Sequence, residues 1–154
     1  MQTPIIIIGA GLAGYQLARE FRKLDPTTPL TIITADDGKY YSKPLLSTAL
    51  TSGKTAEMLH TATAENMAEQ LNARILAHQS VTAIDAINKT ITANNQTISW
   101  SRLILACGAD IIKPPIEGNA AAEILSINHL YHYAEFRELL TNKKRIAIFG
   151  AGLI

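Results

Sequence analysis

The sequence predicts an α/β fold: a parallel sheet started by one β–α–β unit, followed by an antiparallel β-meander before the sheet resumes. Three observations predict it. Pro4 to Ile8 is a continuous apolar run that ends in glycine, the pattern of a strand buried on both faces. From Leu12 the period becomes helical, and Leu30 to Thr34 is then a second β-branched run. Between Ile84 and Trp100, short β-rich segments alternate with turn residues.

The elements follow in order. Ala13, Leu17, Phe21 and Leu24 recur at helical spacing, with Arg19, Glu20, Arg22 and Lys23 opposite, so the helix is expected to bury the first set. Asp25 to Pro29 is a turn, because proline there does not continue a helix. A strand–helix–strand in this order implies parallel pairing. Residues 36–62 are irregular and include the Tyr40-Tyr41 pair. A short helix is expected over Ala64–Leu71 and a strand over Arg74–Ala77. The meander is expected as Val81–Ile84, Thr90–Ala93 and Thr97–Trp100. Leu103–Ala106 reads as another buried strand, His129–Leu140 as a helix and Arg145–Phe149 as a last strand.

Composition excludes several function classes. Fourteen Lys and Arg against 13 Asp and Glu leave a net charge of +1, which is no electrostatic footprint for nucleic acid or an anionic membrane. No apolar run approaches the ~20 residues that span a bilayer, and Ile5 to Ile8 is too short for a signal sequence. The single cysteine, Cys107, offers no internal disulfide or redox pair, so a reducing, cytoplasmic compartment is expected. Cys107 itself reads as a small buried residue. The four histidines lack metal-ligand spacing apart from His129 and His132, which are expected on a solvated helix face; no metal site is assigned. Tyr40, Tyr41 and Trp100 read as packing groups.

The chemistry lies in Gly9-Ala10-Gly11-Leu12-Ala13-Gly14. This is GxGxxG, placed directly after a buried strand and at the start of a helix, where its mechanism requires it. Gly9 allows the tight turn, Gly11 lets a pyrophosphate approach the backbone, and Gly14 lets the helix pack closely on the strand. The unpaired N–H groups at the helix start then face the phosphates. Together these features predict a Rossmann-like dinucleotide site. Asp36, 22 residues after Gly14 and just past the second strand, is the candidate partner of the adenosine ribose; the alternative is a solvated turn aspartate beside Asp37.

A second strand-then-glycine pattern starts at Arg145 and continues as Gly150-Ala151-Gly152-Leu153-Ile154. Two such patterns about 140 residues apart suggest two dinucleotide sites. The second stops before its third glycine position, so a longer parent polypeptide is expected. The division is residues 1–142 for part of the first domain and 143–154 for the start of the next.

The order GAGLAG, meander, Leu105-Ala106-Cys107-Gly108-Ala109, then GAGLI resembles the FAD-dependent pyridine-nucleotide oxidoreductases of the ferredoxin-reductase-like branch. The likeness covers the whole chain, with Tyr15, Ala35-Asp36-Asp37 and Ser42-Lys43-Pro44 carrying the narrower match. It implies an FAD/NAD(P)-binding fold, incomplete here, with FAD in the first domain and NADH in the second. It further implies that electrons from NADH pass through FAD to rubredoxin or a similar small iron protein.

By resemblance, the backbone N–H groups of Ala10, Gly11, Leu12 and Ala13 would hold the FAD pyrophosphate. An ungapped match places the adenosine contact on Ala35, with Thr34 before it, which leaves the side-chain role of Asp36 open. Lys43 matches a lysine near the flavin, or is a solvated loop lysine. Val81 matches a backbone contact to adenine, or is core. Cys107 and Gly108 stand in the family's ATG motif, with cysteine replacing threonine, and Gly150 and Gly152 belong to the second nucleotide site. No catalytic side chain is expected, because the flavin supplies the chemistry. The alternatives are a flavin reductase serving a ferredoxin or oxygen, and a nucleotide-binding module without turnover.

Overall fold

The computed structural model describes residues 2–150. Its centre is a parallel sheet of β1 (Ile5–Ile8), β2 (Leu30–Ile33), β5 (Arg74–Leu76) and β9 (Arg102–Leu105), in the order β5-β2-β1-β9. Between them run α1 (Leu12–Leu24), a two-residue β3 (Tyr40–Tyr41), α2 (Leu46–Ala49), β4 (His60–Ala62) and α3 (Ala64–Gln70). The meander is β6 (Val81–Asp85), β7 (Thr90–Ala93) and β8 (Gln96–Ser99), and α4 spans Leu130–Leu140.

The alternating sides of β1 define two cores. Ile7 faces the helices and packs with Tyr15, Ala18, Ile32, Met67 and Leu71. Ile6 and Ile8 face the meander and pack with Ile33, Ile91 and Ala93. A two-residue period therefore places helices on one face of the sheet and the meander on the other. The meander's second turn is made by Asn94 and Asn95, both at positive φ (44° and 64°). This is the two-residue geometry that matches strand twist and that asparagine tolerates.

The chain builds β1, β2 and β5 outwards, then crosses through the meander to place β9 on the other side of β1. Ile8 is level with both Ile33 and Leu105, and Ile33 with Leu76, so the carboxyl ends of the strands finish together. A ligand crevice belongs where the strand order reverses, outside those ends.

The structure corrects four sequence readings. The buried side of α1 is Gly14, Tyr15 and Ala18, whereas Leu17 is 40% exposed and Leu24 88%. Close helix–sheet packing favours small residues at the contact, and Tyr15 fills the space beside them. Arg22, read as opposite the apolar set, is half-buried: its guanidinium donates to the carbonyls of Leu71, Asn72 and Asp25 and ties α1 to the end of α3. β9 is an edge strand paired only with β1 among the described residues, and Leu105 is 62% exposed. Arg145–Phe149 forms no strand; Ile146, Ile148 and Phe149 are exposed, with no sheet neighbour to complete their backbone hydrogen bonds.

Candidate functional site

Each strand end is held by a backbone hydrogen bond to its neighbour. Gly9 N donates to Ile33 O at 2.8 Å, Thr34 N to Leu76 O at 3.0 Å, and Ala106 N to Ile8 O at 2.7 Å. The three loops that leave these ends surround a cavity of about 890 Å³, within the usual range for small-molecule sites. A shallower cleft of about 590 Å³ sits at the opposite end of the sheet, between Pro4, Pro29 and Asn72, away from the glycine loop.

The glycine loop forms the cavity floor through Gly9, Ala10, Gly11, Leu12 and Ala13. Gly9 has φ +112°, and a Cβ there would run into the carbonyl of Ala106. A Cβ on Gly14 would strike the carbonyl of Gly9, with Ile7 Cγ2 at 3.5 Å, so Gly14 lies beneath the loop and not in the cavity. A Cβ on Gly11 would meet nothing within 4 Å. Its open side faces the cavity, which is the cradle a pyrophosphate needs. Gly11 caps α1 without a side-chain hydrogen bond, and the first turn holds no acidic residue. The N–H groups at the start of α1 therefore lack intrahelical partners and meet no repelling carboxylate.

The wall beyond β2 is Thr34, Ala35 and Asp36, followed by Asp37, Gly38 and Lys39. It is rigidly placed. Asp36 N donates to Thr34 Oγ1 at 3.2 Å, His78 N to Asp36 O at 2.9 Å, and Gln79 N to Thr34 O at 2.8 Å. Tyr15 supports the wall from below, donating its hydroxyl to Gly38 O at 2.5 Å. Burial, then the charges of Asp37 and Glu65, push that phenol well above the ordinary tyrosine range, so it stays protonated. Lys39 is occupied by Asp37 and Glu57, each at 3.3 Å. Lys43, at the start of a 3₁₀ turn (Lys43–Leu45), lines the cavity as a further cation.

The third side comes from β9 and α4: Leu105, Ala106, Cys107 and Gly108, facing His129, Leu130 and Tyr131. Cys107 is exposed and not buried as the sequence suggests, because it stands two residues past the strand, at the cavity edge. α4 is anchored beside the cavity by Tyr133, whose hydroxyl donates to Lys54 O at 2.7 Å, and by the packing of Leu130 and Tyr133 on Leu46, Ala49 and Leu59.

Eleven of the sequence-designated residues thus meet around one cavity: Gly9 to Ala13, Thr34 to Asp36, Lys43, Cys107 and Gly108. Val81 is elsewhere, half-buried against the meander-side core. Gly150 is exposed and lies apart from the lining, and Gly152 is outside the described residues. Sequence reasoning missed Lys39, Tyr41, His78, His129 and Tyr131 as lining residues. His129 is not on a solvated helix face: it caps α4, and its Nδ1 lies 3.2 Å from Asp36 Oδ2. No local pattern could have shown this, because the contact joins segments far apart in the chain. Among the described residues no cluster of three or more His, Cys, Asp or Glu could hold a metal ion, and no helix is long and apolar enough to cross a membrane.

Comparison with known proteins places this architecture. The family model described as pyridine nucleotide-disulphide oxidoreductase matches residues 3–154. The chain belongs to that family. It is 48% identical over 151 residues to a rubredoxin-NAD(+) reductase of Alcanivorax borkumensis, covering 98% of this chain and 40% of that protein. It is 36% identical over 154 residues to a nitric oxide reductase FlRd-NAD(+) reductase of Vibrio vulnificus, covering all of this chain and again 40% of the relative. The chain therefore spans well under half the length of these relatives. Among solved structures, a water-forming NADH oxidase from Lactobacillus brevis superposes over 99% of this chain and 35% of that one, with a TM-score of 0.85 at 23% identity. This likeness shows the fold.

Proposed function

We propose that the chain is the FAD-holding part of a flavoprotein reductase that takes electrons from NADH and passes them to rubredoxin or a similar small iron protein. The observation that carries the reading is the cavity at the strand-order reversal, floored by a glycine loop whose Gly11 presents bare backbone to open space. The similarity to a rubredoxin-NAD(+) reductase along 98% of the chain supports the choice of acceptor. The likeness to the FlRd-NAD(+) reductase keeps a second acceptor of related use in view.

Ala10, Gly11, Leu12 and Ala13 would hold the pyrophosphate through backbone N–H groups, with Thr34 to Asp36 beside the adenosine and Lys43 near the flavin side. Bound flavin would supply two-electron acceptance and one-electron release, and the protein's part is to bind and orient it. Gly108, the first residue past Cys107, has φ +74°, so the third wall is a sharp turn and not a continued strand. Val81 would act as a core residue, and Gly150 and Gly152 would belong to a separate NADH site. The cytoplasm is the proposed compartment, consistent with the lone free thiol.

The test is to purify the chain, incubate it with FAD, remove free flavin by gel filtration and record the visible spectrum. A flavin spectrum that co-elutes with the wild-type chain, and is lost in Gly11→Val, is the expected result. Valine would place branched carbon where the phosphates sit. Equal flavin retention by both proteins would defeat the proposed site.

A further inference from the structure

We infer that Asn128 and His129 form a positioning relay that aims the Asp36 carboxylate at the adenosine ribose of the bound dinucleotide; this rests on the FAD-binding reading above. The relay is built from three chain segments that meet at the cavity edge. Asn128 Nδ2 donates to Ala109 O at 3.2 Å, in the loop that follows β9, and lies 3.4 Å from His129 Nε2. His129 Nδ1 in turn lies 3.2 Å from Asp36 Oδ2, just past β2. One arrangement of protons serves every contact. Asn128 gives one amide hydrogen to Ala109 and the other towards His129 Nε2, which leaves Nδ1 to meet the carboxylate as a close polar contact without aligned hydrogen-bond geometry.

The neighbouring histidine completes the arrangement. Asn128 N donates to His132 Nδ1 at 3.3 Å, which fixes the start of α4. The His129 ring lies parallel to Tyr131, at 7° between planes and 5.5 Å between centroids, so its orientation is set from a second side. Asp36 is held through its backbone by Thr34 and His78, so its side chain is the only part left to aim. With Oδ2 facing His129, Oδ1 carries no hydrogen bond from any described residue. It is the acceptor available to a ribose hydroxyl, and an acidic residue about 20 positions past the glycine loop is the group that makes that contact. Ala35, where an ungapped match places the contact, has no side-chain polar atom. The relay explains how the next residue could serve instead. His129 acts through Asp36 and is a positioning residue.

The experiment is a double-mutant cycle read by ligand affinity. FAD, ADP and FMN are titrated by fluorescence or calorimetry against wild type, His129→Ala, Asp36→Ala, the double variant, and His129→Asn. Asparagine keeps a donor close to the Nδ1 position. Circular dichroism and thermal unfolding identify any variant that fails to fold, in which case His129→Gln and Asn128→Ala replace it in the cycle. The expected result is that His129→Ala weakens FAD and ADP alike, by about tenfold, the effect of one charge-assisted hydrogen bond. FMN, which lacks the adenosine, should bind the variant as it binds wild type. The double variant should be no weaker than Asp36→Ala alone, since the histidine then has nothing to aim. His129→Asn should recover most of the ADP affinity. If wild type binds FAD and ADP but His129→Ala binds ADP equally well, or the two losses simply add, the relay is refuted and the FAD reading stands. If wild type binds neither FAD nor ADP, both fall together.

Discussion

A methyl group placed at three neighbouring glycines has three different consequences. On Gly14 it strikes the backbone carbonyl of Gly9, which cannot swing aside without moving β1 away from α1. On Gly9 it strikes Ala106 and also meets a backbone at φ +112°. On Gly11 it enters open space. Gly14→Ala is therefore expected to lower stability by about 1–3 kcal/mol, the usual cost of forcing bulk into a packed contact. Gly11→Ala should cost no more than about 1 kcal/mol, the loss of a tolerated N-cap residue. Urea unfolding of the two variants compares them directly, and equal destabilisation would contradict the geometry. The roles of Gly11 and Gly14 were legible in the sequence because each depends on a few ångströms of local backbone; the contact of Gly9 with Ala106 was not, because it joins distant segments. The buried face of α1 was not. Counting apolar residues favours Leu17 and Leu24, but the contact with the sheet is close, and only Gly14, Ala18 and the flat ring of Tyr15 fit it.

At the scale of elements, the turn from α1 into β2 is shaped by one carboxylate. Asp25 Oδ1 accepts from the backbone N–H groups of Thr27 and Thr28 at 3.0 and 2.9 Å, and Oδ2 from the Thr28 hydroxyl at 2.5 Å. The Thr28 hydroxyl foremost, then the two backbone amides, hold the carboxyl at about 2. The folded value lies below the unfolded one, so the stabilisation is complete above the ordinary aspartate range, near pH ~4, and is lost as pH falls towards ~2. Subtracting the thermal unfolding temperature of Asp25→Asn from that of wild type should give a positive difference that shrinks across this window. A difference constant with pH would show that the charged form is not what the turn holds. The sequence reveals this turn through Pro26 and Pro29. It does not reveal how α4 meets the cavity. A helix over His129–Leu140 follows from its pattern, but the packing of Tyr133 on α2 and the approach of His129 to Asp36 join segments dozens of residues apart. Periodicity reports which residues share a face of one element; it carries no information about the element on the other side.

For the whole molecule, the parallel sheet was legible because a strand–helix–strand order leaves few topologies with short, right-handed connections. The seating of the meander on the sheet came only from the structure, where β7 turns Ile91 and Ala93 towards a core. What the pattern could not distinguish was a strand with two neighbours from a strand with one. Leu103 to Ala106 and Ile146 to Phe149 are apolar runs like β1, yet the first forms an edge and the second no strand. This has a consequence in solution. β9 offers one row of backbone groups to β1, while its other row has no partner among the described residues, and its Leu105 is exposed. Arg102 is its only charged residue, which is little protection for an edge strand. The purified chain is expected to self-associate with rising concentration, as read by sedimentation velocity, and Leu105→Lys should shift it towards monomer by charging that edge. The double variant Ile148→Lys/Phe149→Lys charges the exposed apolar residues beyond α4 and leaves β9 untouched. If the edge governs association, only the first variant changes the sedimentation profile. If only the second does, the apolar surface following α4 is responsible, and the backbone of β9 is already shielded.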